Sequence, residues 1–598
     1  MSFTSVNFLL FFLAATALVQ LSKTVKQQHR VFLLSNAVFY AYWDVRFLLL
    51  LLGVIGVCYA AARLYERSGK PAFVYAGVIF CLALLGFCKY YHFFVTSFAR
   101  AFGLAEGTLN ILLPLGISFY LFQAMSYLLD VKKGTMTAER DFVVLAAYIS
   151  FFPQITSGPI VKAHDFLPQL ERLHRVKKDN VYLGVTRFVT GLTKKVVFAD
   201  RIGVAVNAVF AAPAAYNGLS IAMAVVGYSL QIYCDFSGYS DMAIGIAAIW
   251  DFDLGKNFNL PYLAENPSDF WRRWHISLSS WFRDYVYIPL GGSRNTTFGS
   301  YFWIVTFALI ALLLSGSIWA LAAVLSVGAV TLLVARFLPD HRKKIIANLN
   351  SFITMLLGGL WHGASLNFVI WGGLNGVGMI IYKFWKDLSW TLRPLLLSLL
   401  TLLVFALKTF APSPVFNLLF VWLMALLAGT LVRSLWHIFR PDSPGAFSKG
   451  TDSREARTAL AGMSRGQRLT VYLGNAWAVL QTFVFITFTR LFFRSGSNLD
   501  PAEANEKAWA TARNMVSQIG GEWDLSIIPD VCSAYWKVFL LVALGMLVHW
   551  LPSRFKRRYR LSFAMLPLPV MALICVLTVF LLYQFVTAGF QPFIYFQF

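Results

Sequence analysis

Residues 219–250 read LSIAMAVVGYSLQIYCDFSGYSDMAIGIAAIW, an unbroken apolar stretch whose only charged side chains are Asp235 and Asp241. About 20 apolar residues suffice for a helix to cross the hydrocarbon core of a bilayer. A helix also satisfies its own backbone hydrogen bonds there, so it is the default spanning element. Comparable runs lie at 5–21, 31–62, 72–98, 109–131, 182–210, 299–337, 350–384, 393–439, 471–493, 534–551 and 562–590. The longer ones must contain two passes or re-entrant pieces. The short alternating segments of a membrane β-barrel do not occur. The expected fold is therefore all-α, polytopic and integral to the membrane.

Composition agrees. The chain is 58% hydrophobic and 13% charged, against about 25% charged residues in a soluble domain. Its formal charge of +23, from 51 Lys+Arg and 28 Asp+Glu, does not call for nucleic acid. The basic residues concentrate in short loops at 23–30, 162–178, 341–344, 433–468 and 554–560. The positive-inside rule makes such loops cytoplasmic. Both chain ends then face outward, with an even number of passes, and residues 8–19 read as a retained first span rather than a cleaved signal. Residues 440–469 are polar and read as a cytoplasmic loop; 495–530, with a helical stretch at Pro501–Ile519, read as an extracytoplasmic one. Cys58, Cys81, Cys88, Cys234, Cys532 and Cys575 lie in or beside apolar runs without a CxxC pair, which suits small hydrophobes and neither disulfides nor metal ligands. There is no nucleotide-binding loop and no HExxH, so no metal site and no resident cofactor are expected.

Polar groups within a membrane are costly and are functional candidates for that reason. His362 lies in LLGGLWHGASLNF (356–368), with Gly358, Gly359 and Gly363 beside it. Glycine permits close approach of another backbone or a ligand, and a neutral histidine can take a proton from a hydroxyl. The plainer alternative is a buried histidine bonded to a neighbouring helix. A second cluster, ENPSDFWRRWHISLSSWFRDYVYIPLGGSR (265–294), suggests a helix start with Ser268 as a candidate N-cap. The pairs Trp271/His275 and Asp269/Arg273 are placed on shared helix faces. An interfacial amphipathic helix explains its aromatics and arginines; a buried, polar re-entrant element also explains the His, Arg and Asp density before the IPLGG turn. Asp235 and Asp241, six residues apart, do not share a helical face. They make a poor acid/base pair and are expected to pair with Arg or Tyr on neighbouring helices, though embedded acids also fit a transporter.

Several blocks resemble the membrane-bound O-acyltransferases, and among them the bacterial alginate O-acetyltransferase branch. They are LLPLGISFYLFQAMSYLLDV (112–131), FFPQITSGPIV (151–161), GLTKKVVFADR (191–201), the DFWRRWHISLSSWFRDYVYIPLGGSR block and GLWHGASLNFVIWGGLNG (359–376). The resemblance begins near SNAVFYAYWDVRFLLLLL (35–52) and returns at the terminal QPFIYFQF (591–598). It implies a ring of transmembrane helices around a thinned central funnel, in a bacterial cytoplasmic (inner) membrane. It implies His362 as the catalytic histidine and an acetyl group delivered to an exported polysaccharide such as alginate, cellulose or peptidoglycan. The donor would be a cytosolic thioester, acetyl-CoA or another. The partners would be the lipid bilayer, an extracytoplasmic SGNH-type acetyltransferase or esterase, and polysaccharide biosynthesis or export machinery. A sister branch transfers D-alanine toward teichoic acid.

Two features depart from that pattern. Residues 296–340 form an extra apolar hairpin, and Asn375 stands where some members carry a second histidine. An amide cannot be a general base, so Asn375 would orient a group or bind substrate. Trp361, Asn367 and Arg273 are further candidates for binding substrate, and His275 is a further catalytic candidate, for orientation or charge stabilisation. In the aromatic tail, Tyr595 matches a family motif whose tyrosine would accept the acyl group and carry it to the outer partner; membrane anchoring by aromatics is the simpler reading. The competing functions are D-alanyl-type transfer to a cell-envelope polymer, a transporter without chemistry and a membrane subunit of a secretion complex.

Overall fold

The computed structural model describes the chain except residues 103–111, 364, 440–461, 498–503, 522, 568, 572, 575, 579 and 581–598. Tyr595 and most of the 440–469 segment thus lie outside the described residues. Within them the protein is built from helices, and nine are long and apolar enough to cross a membrane. Their outer faces are apolar: Leu49, Ile79, Leu402, Val421 and Leu547 are all exposed. This is the arrangement of a polytopic protein whose solvent is lipid.

Where the apolar runs break is a local matter. The 31–62 run divides between Val25–Ala41 and Val45–Ser68 because Asp44 caps the second helix, accepting from the Arg46 amide. The 299–337 run divides at Gly316 (φ 62°) into Phe298–Ser315 and Ile318–Phe337, since that left-handed turn suits glycine. The 219–250 run does not divide: Gly218–Ile249 is one long helix.

That helix lies against Lys178–Thr193 through two glycine pairs. Gly184 meets the Gly245 backbone and Gly191 meets that of Gly238. Small residues at such a seam let two helices approach to backbone contact, a common packing device in membranes. Just beyond it, a π-helical turn at Lys194–Ala199 turns Lys195 inward. Its ammonium bridges Asp200 (2.8 Å) and Asp235 (2.7 Å), all three being buried. Asp241 is held by Lys194 (2.6 Å) and Arg187 (3.1 Å). Asp241 thus pairs with an arginine of the neighbouring helix, as expected, and with a lysine besides; Asp235 pairs with a lysine instead.

Short, buried elements sit inside the long helices. Phe152–Ile155 is buried at all four residues. The 265–294 block is not one amphipathic helix: it breaks into Pro267–Arg273, Ile276–Phe282 and a π-helical turn at Arg283–Tyr287, with Phe270, Trp274, His275 and Trp281 buried and Arg272, Arg283 and Arg294 exposed. Its N-cap is Asn266, whose side chain accepts from the Asp269 amide, and not Ser268. Asp269 and Arg273 do pair across one helical turn (2.8 Å). Trp271 and His275 share no helix face, because the helix ends before His275, which adopts φ 45°.

Candidate active site

His362 is the last residue of the helix Arg342–His362. Three sets of contacts fix that helix. At its far half, the Asn350 side-chain amide donates to the carbonyls of Leu290 (3.2 Å), Gly292 (2.9 Å) and Asn295 (3.3 Å), and its oxygen accepts from Ser300 (3.0 Å). This is what the IPLGG turn does: it presents carbonyls to one amide, with Gly291 (φ 103°) and Gly292 (φ 56°) supplying the backbone. Along its length, Gly359 faces the Phe368 carbonyl and Gly372 faces that of Met355, so the next helix, Leu366–Trp385, lies in backbone contact with it. At its end, the Trp361 carbonyl accepts from the Lys89 ammonium (2.6 Å), and the Leu360 carbonyl from the Tyr90 hydroxyl. These are carbonyls that no later helical residue can satisfy, and a cation there also suits the helix dipole.

The imidazole of His362 is buried among aromatic rings: Trp361 (centroids 4.7 Å apart), Trp371 (5.0 Å) and Phe493 (5.0 Å). It faces a narrow cavity lined also by Ile232, Phe270, Trp274, Asn375, Ile486 and Arg490. Two polar groups besides His362 thus reach an otherwise apolar space. Around it, the indole N–H groups of Trp361 and Trp271 and the Asn375 side-chain oxygen are buried without a hydrogen-bond partner among the described residues. Buried polar atoms left unsatisfied are rare in native structures; of the three residues only Asn375 lines the cavity, and a polar substrate beside His362 would supply what its oxygen lacks.

The other candidates distribute unevenly. Asn375 lines the cavity, and its amide donates to Trp371 (2.8 Å) and Thr489 (3.3 Å). Asn367 instead ties two segments together, donating to Ser495 (2.7 Å) and to the Ala508 carbonyl (2.9 Å). Arg273 is engaged by Asp269 and does not line the cavity. His275 is buried beside Trp361, with ring centroids 6.3 Å apart. Its Nδ1 is 3.0 Å from the Asn257 side-chain oxygen, which also accepts from Ser277 (2.9 Å). The Ser277 main-chain N–H, which can only donate, also reaches that oxygen (3.3 Å), so the oxygen is the acceptor and Nδ1 of His275 faces it as the donor. Asn257 and Ser277 thus hold this ring in one tautomer, at a left-handed backbone position that few non-glycine residues take.

Sequence reasoning passed over Lys89 and Arg490. Both stand inside apolar runs, in FCKYYHF and FITFTRLFF, and a lone charge in such a run is the signal that marks them. Arg490 is buried; its Nη1 donates to the Ser229 carbonyl (3.0 Å) and contacts the Tyr262 hydroxyl, and its guanidinium lies 4.2 Å over the Trp274 ring. No sequence pattern announces that Tyr262 and Ser229 meet it.

A buried histidine on a fixed helix end, facing a small and largely apolar cavity, can act on a hydroxyl and an acyl group brought there. The membrane-bound O-acyltransferase family model matches residues 138–313. A Pseudomonas aeruginosa protein named probable alginate O-acetylase is 32% identical over 556 residues, covering 90% of this chain and 92% of that protein. The chain belongs to the membrane-bound O-acyltransferase family. It is a multi-pass membrane O-acyltransferase, with alginate O-acetylases among its relatives. A Helicobacter pylori peptidoglycan O-acetyltransferase is 32% identical over 380 residues, 58% of this chain and 63% of that one. A Bacillus subtilis teichoic acid D-alanyltransferase is 27% identical over 283 residues, 46% and 60% of the two chains. The family model stops before the helix that bears His362, so the case for that residue is geometric.

Proposed function

We propose that this membrane-bound O-acyltransferase takes an acetyl group from a cytosolic thioester, acetyl-CoA or an acetylated carrier, and passes it across the inner membrane for O-acetylation of an exported polysaccharide. The observation that carries the reading is the placement of His362, buried and facing the cavity at the end of a helix anchored by Asn350, Lys89 and the Gly359–Gly372 contact. The names of the relatives support the substrate class: alginate, peptidoglycan and teichoic acid are all envelope or exported polymers.

In this mechanism His362 takes the proton of the acceptor hydroxyl as the oxygen attacks the thioester carbonyl carbon. The imidazolium then returns that proton to the departing thiolate. General-base help of this kind is worth about 10²–10⁴ in rate. The aromatic walls exclude water, so the thioester meets the intended hydroxyl and not hydroxide. An acetyl group fits this lining better than D-alanyl, whose ammonium would find Arg490 and no carboxylate among the cavity-lining residues. The first acceptor in the relay is the Tyr595 hydroxyl. A phenol has a pKa near 10, well below that of a sugar alcohol, and its ester remains an active acyl donor. An extracytoplasmic SGNH-type partner then moves the group to the polymer. The positive loops support both chain ends facing outward, which places Tyr595 on the partner's side.

The test is acetyl transfer by the purified full chain in lipid nanodiscs. His362→Ala is expected to abolish it with folded yield unchanged. Retention of most of the activity would overturn the role given to His362.

A further inference from the structure

Arg490 and His362 reach the same cavity from different helices, Arg465–Ser495 and Arg342–His362. The guanidinium is buried, and no carboxylate pairs with it among the described residues; burying a cation in this way is costly unless something offsets it. Part of the offset is visible. Nη1 is spent on the Ser229 carbonyl and the Tyr262 hydroxyl, and the Trp274 face lies 4.2 Å from the guanidinium carbon. Nε and Nη2 make no hydrogen bond among the described residues, and neither is sealed away as a buried unsatisfied atom. The guanidinium is thus anchored by one nitrogen, and the residue lines the space that His362 faces.

We propose that Arg490 is a second catalytic residue, the donor that stabilises the oxyanion formed during acyl transfer. This rests on the reading of His362 as the base. When the acceptor oxygen bonds to the thioester carbonyl carbon, the electron pair of the C=O π bond moves onto the carbonyl oxygen, while the hydroxyl proton goes to His362. The negative oxygen accepts hydrogen bonds from the remaining Arg490 N–H groups. It then re-forms the carbonyl, the C–S bond breaks, and the thiolate recovers the proton from His362. Arg490 itself neither gains nor loses a proton. Its charge, fixed in place by Ser229, Tyr262 and Trp274 before substrate arrives, acts where the dielectric is low and needs no reorganisation, which is when such a group is worth most.

The experiment measures turnover by the full chain in nanodiscs, with whichever thioester supports wild-type activity, acetyl-CoA or an acetylated carrier protein. Arg490→Gln is expected to lower kcat about 10²–10³-fold with KM little changed, and added guanidinium should restore part of the rate in Arg490→Ala. A folded Arg490→Gln protein with wild-type kcat, or one whose loss lies in KM alone, would overturn the proposal. If Arg490→Gln does not fold, Arg490→Lys decides: reduced kcat at constant KM supports the role and wild-type kcat overturns it. His362→Ala, run in parallel, separates the two readings. If it is inactive while Arg490→Gln turns over normally, only the assignment of Arg490 fails; if it is active, the reading beneath it fails.

Discussion

The Lys89 ammonium donates to the main-chain carbonyl of Trp361 at 2.6 Å, joining two residues 272 apart in the chain and one peptide unit from the His362 imidazole. A cation in an apolar helix is thereby used to close another helix at its C-terminal end. Lys89→Met should remove a charge-assisted hydrogen bond worth about 1.5–3 kcal/mol, lowering the thermal midpoint and, because the ring it steadies is His362, lowering kcat more than KM. Lys89→Arg should recover much of both. Thermal unfolding in detergent beside steady-state kinetics checks this; a Lys89→Met protein with normal kcat would show that the bond serves stability alone.

His275 should respond differently from His362. Its contacts with Asn257 and its φ of 45° place it in a structural turn. His275→Ala is expected to cost stability, about 1–3 kcal/mol from the Asn257 and Ser277 groups left without it, and to slow turnover less than His362→Ala does. The two variants compared at matched folded concentration decide the order. Equal losses of kcat would give His275 a share in the chemistry.

Lys195 joins Asp200 and Asp235 in a buried triad. Removing the cation leaves two carboxylates uncompensated, and breaking such a pair typically costs 3–5 kcal/mol. Lys195→Met should therefore express poorly or unfold at a much lower temperature, whereas Asp241→Asn, in a less buried pair, should be milder. A stable, active Lys195→Met protein would argue that the triad serves a conduction path and not the fold.

The basic loops predict a sidedness that labelling can check. A cysteine placed at Ser448 should be labelled by an impermeant reagent only from the cytoplasmic side. Labelling from outside intact cells would reverse the orientation and remove the argument that places Tyr595 outside.

Tyr595→Phe keeps the ring and removes only the hydroxyl. The relay requires polymer acetylation to disappear in this variant, read as acetate released from purified polymer. Near-normal acetylation would leave the tail a membrane anchor.

The membrane class was plain from the length of runs such as 219–250, and His362 stood out because its motif carries the one embedded histidine flanked by three glycines. The limits of the sequence lie in what meets across the chain. Arg490 and Tyr262 are 228 residues apart, and Asn350 meets the 290–295 turn through carbonyls, which every residue has. A period of 3.6 residues places Trp271 and His275 together only while the helix continues; it stops at Arg273. Asn266 won the N-cap because its side chain reaches the Asp269 amide with Pro267 at the first helical position, where Ser268 is already inside the helix.

The helix that ends in His362 is fastened near its middle by Asn350, along one side by Leu366–Trp385, and at its tip by Lys89 and Tyr90. Such a strut behaves as the fixed jaw of a vice. The facing wall is fixed as well: on Arg465–Ser495, Arg490 is held by Ser229 and Tyr262 and Thr489 by Asn375, so the gap keeps one width, and acyl groups longer than acetyl should be turned over poorly.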